Sequence, residues 1–146
     1  MSRQHIEIRQ SFNAPVETIF TILTDHESFG NVIATKIRRV VDSPEENKNG
    51  AGSVRRVFSS MLPAFEETVI TFEPHSLMEY VVSKGSPIKN HIGRMEFSEE
   101  NGITRLCYFI DFDPRLPFMF LGPVLKSAIE KPMRKSLEKL SKRYVP

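Results

Sequence analysis

The segment LGPVLKSAIEKPMRKSLEKL (residues 121–140) has the pattern of an amphipathic helix that follows a long series of predicted strands. Pro132 lies inside this helix, where proline removes one backbone hydrogen bond and costs roughly 3 kcal/mol. We expect a bend near Pro132, with the second half of the helix packed firmly on a sheet and the first half covering it more loosely. The apolar residues recur every three or four positions and share one helix face: Leu121, Leu125, Ile129, Met133, Leu137 and Leu140.

The N-terminal segment predicts one strand followed by one or two short helices. Residues 5–12 alternate between polar and apolar side chains, which indicates a half-buried strand. Asn13 and Pro15 then have the pattern of a capped helix start, and a helical apolar spacing continues to about residue 25. Residues 25–31 predict a loop or a second short helix.

The middle of the chain predicts six further strands separated by turn sequences such as Asn101-Gly102, a dipeptide typical of hairpins. Consecutive hairpins favour an antiparallel sheet, and helices confined to the two ends of the sequence favour the α+β class. The chain is then one domain over residues 1–146. The strand candidates are residues 36–42, 53–60, 65–72, 77–83, 91–98 and 103–113.

Composition excludes several classes of function. The formal net charge is +2, from 20 basic and 18 acidic residues, which is too near balance to indicate nucleic acid or an anionic membrane as the main partner. No apolar run approaches the roughly 20 residues of a membrane span, and the N-terminus lacks the apolar core of a signal peptide. We therefore expect a cytoplasmic protein with no integral membrane association, while the oligomeric state stays open.

The order of these segments resembles that of the START/Bet v1-like superfamily, of the polyketide cyclase/dehydrase and lipid transport type. The resemblance implies a helix-grip fold, in which a curved seven-stranded antiparallel sheet wraps around the long C-terminal helix and encloses an apolar cavity. It implies no single reaction, because many members only carry ligands. The matching segments are FNAPVETIFTILTDHESF (12–29), GAGSVRRV (50–57), TFEPHSLMEYVVSKGSPI (71–88), HIGRMEF (91–97), NGITRLCYFIDF (101–112) and the terminal helix.

Strand alternation predicts which side chains face this cavity. Residues 91–97 place His91 on the same face as Met95, and residues 103–113 place Tyr108 among apolar side chains. With the apolar face of the C-terminal helix, the predicted ligand-binding residues are Met78, Tyr80, His91, Met95, Phe97, Tyr108, Ile110, Phe120, Leu121, Leu125 and Ile129.

Three of the inward polar groups are candidates for chemistry. His91 is able to move a proton near neutral pH, and Tyr108 is able to bind a ligand oxygen. Arg56 faces the cavity if Val54 does, whereas Arg55 faces it if Val57 does. Either arginine would then need a carboxylate partner from the next strand or an anionic ligand, and an Arg–Glu pair there would be able to orient a carboxylated or phenolic ligand. His91 at a strand end and tyrosine in a β core are also common without function.

No cofactor or metal is expected, because the four histidines lie on separate elements without metal-ligand spacing. Two apolar loop segments, residues 61–63 and 116–120, predict either a cavity entrance or a plug at the end of the core.

The sequence favours a carrier or sensor of a small hydrophobic molecule, such as a lipid, isoprenoid or aromatic polyketide-like compound. Such a function needs only a cavity and a movable entrance. One alternative is an enzyme of the cyclase/aromatase kind that acts on a ligand in the same cavity, with His91, Tyr108 or Arg56 as its catalytic groups. The other alternative is a partner-binding module without small-molecule chemistry.

Overall fold

A single curved sheet of seven antiparallel strands dominates the structure, a computed structural model that describes residues 3–59, 63–85, 88–115 and 119–144. Its strand order is β1-β7-β6-β5-β4-β3-β2, so the first strand pairs with the last and every other strand pairs with its neighbour in sequence. The strands are β1 (Gln4–Phe12), β2 (Lys36–Val41), β3 (Val54–Phe58), β4 (Phe65–Glu73), β5 (Leu77–Lys84), β6 (Ile88–Glu100) and β7 (Ile103–Pro114).

Three helices complete the α+β fold: α1 (Val16–Thr24), α2 (His26–Val32) and α3 (Gly122–Ser141). The short helices α1 and α2 lie between the first two strands, and α3 follows the last strand, as the helix-grip prediction requires. No helix among the described residues is long and apolar enough to cross a membrane.

The hairpin between β6 and β7 follows directly from its sequence. Asn101 and Gly102 both adopt positive φ angles, 55° and 77°, which a type I′ turn requires and which these two residue types tolerate best. Glu100 pairs with Ile103 across this turn, and the pairing places Met95 opposite Tyr108 further along the strands. The turn therefore fixes the register of the two longest strands.

The start of α1 differs from the sequence prediction. The residue before the helix is Pro15 rather than Asn13, and no side chain of its own caps the first turn. Instead, the backbone N–H of Val16 donates a 2.7 Å hydrogen bond to the Glu99 carboxylate on β6. An exposed donor of a helix start is thus satisfied from a distant strand, which local sequence does not reveal. The second short helix does have a local cap, since Asp25 accepts from the N–H of Ser28.

The two halves of α3 pack differently against the sheet. Leu137 and Leu140 in the second half are fully buried, whereas Leu125 and Ile129 in the first half are half-buried against the core. Pro132 lies between these halves on the exposed side. The main contacts of α3 with the sheet are to β1 and β7, so the helix sits over one side of the sheet.

Of the two predicted entrance segments, Met61, Leu62, Leu116, Pro117 and Phe118 lie outside the described residues.

Candidate functional site

The inner face of the sheet carries the side chains that strand alternation assigned to it. The β5, β6 and β7 members of the predicted ligand-binding set are all buried in the structure: Met78, Tyr80, His91, Met95, Phe97, Tyr108 and Ile110. The α3 members Leu125 and Ile129 are half-buried, as is Leu121 just before the helix. Phe120 differs from the prediction, because 79% of its surface is exposed and it lines no interior space.

The choice between Arg55 and Arg56 is decided by the register of β3. Val57 and Arg55 face inward, and Arg56 lies on the opposite face with Glu66 as its partner. The side chain of Arg55 is 1% exposed and that of Arg56 is 45% exposed. The candidate role of Arg56 in the cavity is therefore corrected, and the interior arginine is Arg55.

Arg55 is held by charge and by aromatic rings. Its Nε donates a 2.8 Å hydrogen bond to Glu67 Oε1 on the neighbouring strand. Its guanidinium carbon lies 4.3 Å from the centre of the Tyr80 ring and 5.0 Å from that of Phe29, within the range of cation–π attraction. Nη2 is buried and has no hydrogen-bond partner among the described residues. One strong donor at the centre of the molecule is thus unused.

Two tyrosines meet beside this arginine. The hydroxyls of Tyr80 and Tyr108 are hydrogen-bonded to each other, and burial raises the pKa of both phenols. The Tyr80 ring lies over Gly93, its partner across the β5–β6 ladder, and a Cβ atom there would come within 2.7 Å of Tyr80 Oη. Gly93 therefore leaves room for Tyr80, and both tyrosines stay protonated near neutral pH.

His26, on α2, contacts the Arg55 guanidinium through Nη1. Its Nδ1 lies 3.5 Å from Arg55 Nη1, so this nitrogen is the acceptor, and Nε2 donates to Ser53 Oγ at 2.9 Å. Burial, followed by the nearby charges of Arg55 and Arg39, lowers the pKa of His26 to about 3. The sequence did not predict a role for His26 or Ser53. His26 begins α2 and Ser53 ends the turn before β3, and no local pattern predicts a contact between those two elements.

His91 lies next to Tyr80, with ring centroids 5.4 Å apart. Its Nδ1 accepts a 3.0 Å hydrogen bond from the backbone N–H of Val82, and burial lowers its pKa. The ring is therefore neutral near pH 7 and carries its proton on Nε2. In this tautomer Nε2 of His91 is a hydrogen-bond donor only, and the ring has no free nitrogen with which to act as a base.

We call Arg55, Glu67, Tyr80, Tyr108 and His26 the interior polar cluster. Arg55 and Glu67 offset each other's charge, His26 is neutral, and both tyrosines are protonated. The cluster as a whole carries no net charge near neutral pH. Around it, the inner wall of the sheet is apolar, so the cluster is well placed to bind a polar group on a hydrophobic molecule.

The space around the cluster is closed in this structure. Met78, Met95 and Tyr108 have no exposed surface. Two cavities are outlined elsewhere: one of about 440 Å³ beside the first half of α3, and one of about 210 Å³ bordered by α1 and the turn at residues 47–49. The first is bordered by Gln4 of β1 and by α3, but no residue of the interior polar cluster lines either cavity. A guest at the cluster would therefore have to displace covering groups.

Metal binding has no visible basis in the described part of the chain, where no three His, Cys, Asp or Glu side chains are grouped for it.

Comparison with known proteins identifies the architecture. The family described as "Polyketide cyclase / dehydrase and lipid transport" matches residues 3–145. No curated protein matches the chain by sequence.

Several solved structures share the fold. The Zhui aromatase/cyclase from a Streptomyces species is 14% identical, with a TM-score of 0.77 over 99% of this chain and 97% of its own. A START superfamily protein from Mycobacterium smegmatis is 15% identical, with a TM-score of 0.77 over 97% of this chain and 99% of its own. Norcoclaurine synthase from Thalictrum flavum is 10% identical, with a TM-score of 0.68 over 95% of this chain and 86% of its own. At such identities the likeness shows the fold alone.

Proposed function

The chain belongs to the polyketide cyclase/dehydrase and lipid transport family, and we propose that it binds a small hydrophobic molecule between the inner face of its sheet and α3. In this proposal the protein is a carrier or sensor, and the ligand is not chemically changed. The single observation that carries it is the unpartnered Nη2 of Arg55 on an otherwise apolar wall.

A buried guanidinium N–H without a partner is unfavourable, because it has lost its hydrogen bonds to water; a lost hydrogen bond of this kind costs roughly 1–3 kcal/mol. A ligand oxygen placed at Nη2 removes that cost. A purely hydrocarbon ligand leaves it in place. The cluster therefore selects a molecule that is mainly apolar and carries at least one oxygen.

The charge balance of the cluster restricts the kind of oxygen. The charge of Arg55 is already offset by Glu67 at 2.8 Å. A carboxylate on the ligand would add an uncompensated negative charge to a buried site, which is strongly unfavourable. A ketone, ester or hydroxyl oxygen adds no charge. We expect the ligand's polar group to be neutral.

In this proposal the ligand reaches the cluster when the first half of α3 lifts away from the sheet. Leu125 and Ile129 are only half-buried, so lifting this half exposes less apolar surface than lifting Leu137 and Leu140 would. Pro132 marks the boundary between the two halves, and a helix bends most easily where proline interrupts its hydrogen bonds.

Three matched naphthalene probes test the proposal, with affinities measured by calorimetry. 2-Acetonaphthone carries a neutral ketone, 2-isopropenylnaphthalene has the same shape without oxygen, and 2-naphthoate carries a carboxylate. A hydrogen bond to a charged donor is worth roughly 1.5–3 kcal/mol, so we expect the ketone to bind about tenfold or more tighter than the hydrocarbon. The ketone should also bind more tightly than the carboxylate.

Variants and native mass spectrometry complete this test. Arg55→Met should remove the preference for the ketone, and the matched control Arg56→Met should retain it. Native mass spectrometry of protein purified from its own host should reveal a bound hydrophobic molecule. If no probe binds and no ligand co-purifies, hydrophobic-ligand binding is wrong. If the hydrocarbon binds as tightly as the ketone, binding stands and the role of Arg55 as an anchor is wrong.

A cyclase-like enzyme is the second candidate, and the meeting of Tyr80, Tyr108 and Arg55 favours it, because several donors converge on one place. The cluster and the neighbouring His91 nevertheless lack a free base. Glu67 is held by Arg55, Nδ1 of His26 faces Arg55 Nη1, and Nδ1 of His91 is occupied by the backbone. If the protein is an enzyme, His91→Ala and Tyr108→Phe should abolish turnover and leave ligand binding intact. Loss of binding in the same proportion would favour the carrier.

A further inference from the structure

The short turn before α3 and the first turn of α3 present apolar side chains to solvent. Phe120 is 79% exposed and Val124, one helical turn later, is 61% exposed. A largely exposed phenylalanine next to an exposed valine is unfavourable in water and is common where a surface meets a partner. Ligand binding inside the fold makes no use of either side chain.

The same segment holds the positive charge of the protein. Residues 119–146 contain seven basic and two acidic residues and carry a net charge of +5. Since the whole chain carries +2, residues 1–118 carry −3. The basic residues are therefore concentrated on one element, although the overall composition is nearly balanced.

Most of these charges on α3 have no ion-pair partner. Glu130 pairs with Arg134 at 2.6 Å and Glu138 pairs with Lys142 at 3.8 Å. Within the described residues, no ion pair involves the remaining lysines of the helix: Lys126, Lys131, Lys135 and Lys139. Lys131, Lys135 and Lys139 are exposed, whereas Lys126 is half-buried. A helix with exposed apolar residues at one end and exposed, unpaired lysines along it is typical of a membrane-surface element.

A groove beside the first half of α3 adds space for an anionic group. Its volume is about 440 Å³, and Lys126, Lys131 and Arg134 contribute to its wall together with Ser127. Glu130 is the only acid of this wall among the described residues, and it is paired with Arg134. The groove is therefore suited to the phosphate of a lipid headgroup.

We propose that the outer side of α3 docks on an anionic lipid bilayer, with Phe120 and Val124 inserted below the headgroups and the lysines against lipid phosphates. Among the described residues, the patch consists of two exposed apolar side chains, which is small compared with the roughly 800 Å² that a stable protein interface buries on each partner. They suffice for an interfacial anchor, because each basic residue near an anionic bilayer adds its own attraction. The inference does not depend on what the interior binds.

Vesicle flotation of the full chain tests this docking. We expect binding to phosphatidylcholine vesicles in which a third of the lipid is phosphatidylserine, and much weaker binding to phosphatidylcholine alone. Raised salt should weaken the binding, because ions screen exposed charges.

Two pairs of variants separate the apolar from the electrostatic contribution. Phe120→Ser with Val124→Ser should lower the partition onto anionic vesicles about tenfold or more. Ile70→Ser with Val41→Ser removes two apolar residues of 48% and 49% exposure on the sheet and should change nothing. Lys131→Glu with Lys135→Glu should lower binding by a similar factor, whereas Lys48→Glu with Lys84→Glu, which adds the same charge elsewhere, should lower it much less.

Several outcomes overturn the proposal. Absence of binding to the anionic vesicles does so directly. Unchanged vesicle binding in the Phe120/Val124 variant or in the Lys131/Lys135 variant would also overturn it. An equal loss of vesicle binding in the Ile70/Val41 control would do the same. Capture on immobilised polyglutamate without vesicle binding would also overturn it and would indicate an acidic protein as the partner.

Discussion

Two arginine–glutamate pairs lie next to each other across β3 and β4 and experience opposite environments. Arg55 pairs with Glu67 inside the fold, with side-chain exposures of 1% and 11% and a distance of 2.8 Å. Arg56 pairs with Glu66 on the outer face, with exposures of 45% and 22% and a distance of 3.5 Å. The residue types and the strand pairing are the same, and only the face of the sheet differs.

The comparison shows that an ion pair's role depends on its surroundings. An exposed pair contributes roughly 0–1 kcal/mol, because water already solvates both charges. A buried pair does little for stability compared with apolar residues, yet removing one partner alone strongly destabilises the fold. A buried arginine with an unused donor is therefore poorly explained by stability, and this supports a role in binding.

Replacing each arginine by methionine should give the largest difference in stability between the buried pair and the exposed pair. Arg55→Met should lower the free energy of unfolding by about 3–5 kcal/mol, because Glu67 is left buried without its partner. Arg56→Met should change it by less than about 1 kcal/mol. Urea denaturation measures both.

The double variant Arg55→Met with Glu67→Leu removes both buried charges and should recover most of the lost stability. A single variant at Arg55 that is as stable as the one at Arg56 would show that the two environments are energetically alike.

Gly93→Ala tests the packing of the inner side. The added methyl group would press on the Tyr80 ring, which itself packs against Arg55, and overpacking of this kind costs about 1–3 kcal/mol. In a Tyr80→Ala background the same substitution should cost much less, because the obstructing ring is gone. Equal costs in both backgrounds would mean that Gly93 is not there to accommodate Tyr80.

Acidification tests the neutral state of His26 beside Arg55. Its folded pKa of about 3 lies below its ordinary value of 6.5, so the unfolded chain binds more protons between these two pH values. The contribution of neutral His26 to the free energy of unfolding should therefore be fully present above about pH 6.5. It should fall as the pH decreases through this window, by about 1.4 kcal/mol per pH unit. The lowered pKa of His91 acts in the same direction.

The measurement is the urea midpoint as a function of pH. His26→Gln should flatten the profile. A profile for His26→Gln as steep as that of the parent protein would assign the acid sensitivity to other groups.

Pro132→Ala has the smallest expected effect. It tests how a ligand reaches the buried Arg55–Glu67 pair. Alanine restores one backbone hydrogen bond, worth roughly 0.5–1.5 kcal/mol, so the exchange of bound 2-acetonaphthone should slow by between about twofold and tenfold. Pro123→Ala is the control, since proline costs little in the first turn of a helix. Unchanged exchange in Pro132→Ala would exclude this residue as a hinge.

Much of the inner wall was predictable from the sequence, because alternation in a strand is a local property. On β6 and β7 the period of two places Met95, Phe97, Tyr108 and Ile110 inside, and the structure confirms this orientation. Whether these residues contact a ligand stays a prediction.

Other features depended on contacts that local sequence does not contain. Adjacent arginines on a strand must point to opposite faces of the sheet, but the local sequence does not predict whether Arg55 or Arg56 points to the inner face. Phe120 fits the helix's apolar spacing, yet it belongs to a short turn before α3 and is exposed. In the apolar cavity that the family resemblance implies, the buried side chains of Tyr80, Tyr108 and Arg55 occupy space, and their sizes and orientations together decide how much room remains.

The sequence by itself determined the order of strands and helices, the α+β class, the inner faces of β5 to β7 and the amphipathic character of α3. These follow from backbone geometry, since side-chain periods of 2 and 3.6 residues are properties of single elements. Only the tertiary structure decided that Arg55 is the interior arginine, that His26 on α2 contacts it, and that one of its donors has no partner among the described residues. Those facts arise where separate elements meet, and burial sets the energy of every charge there.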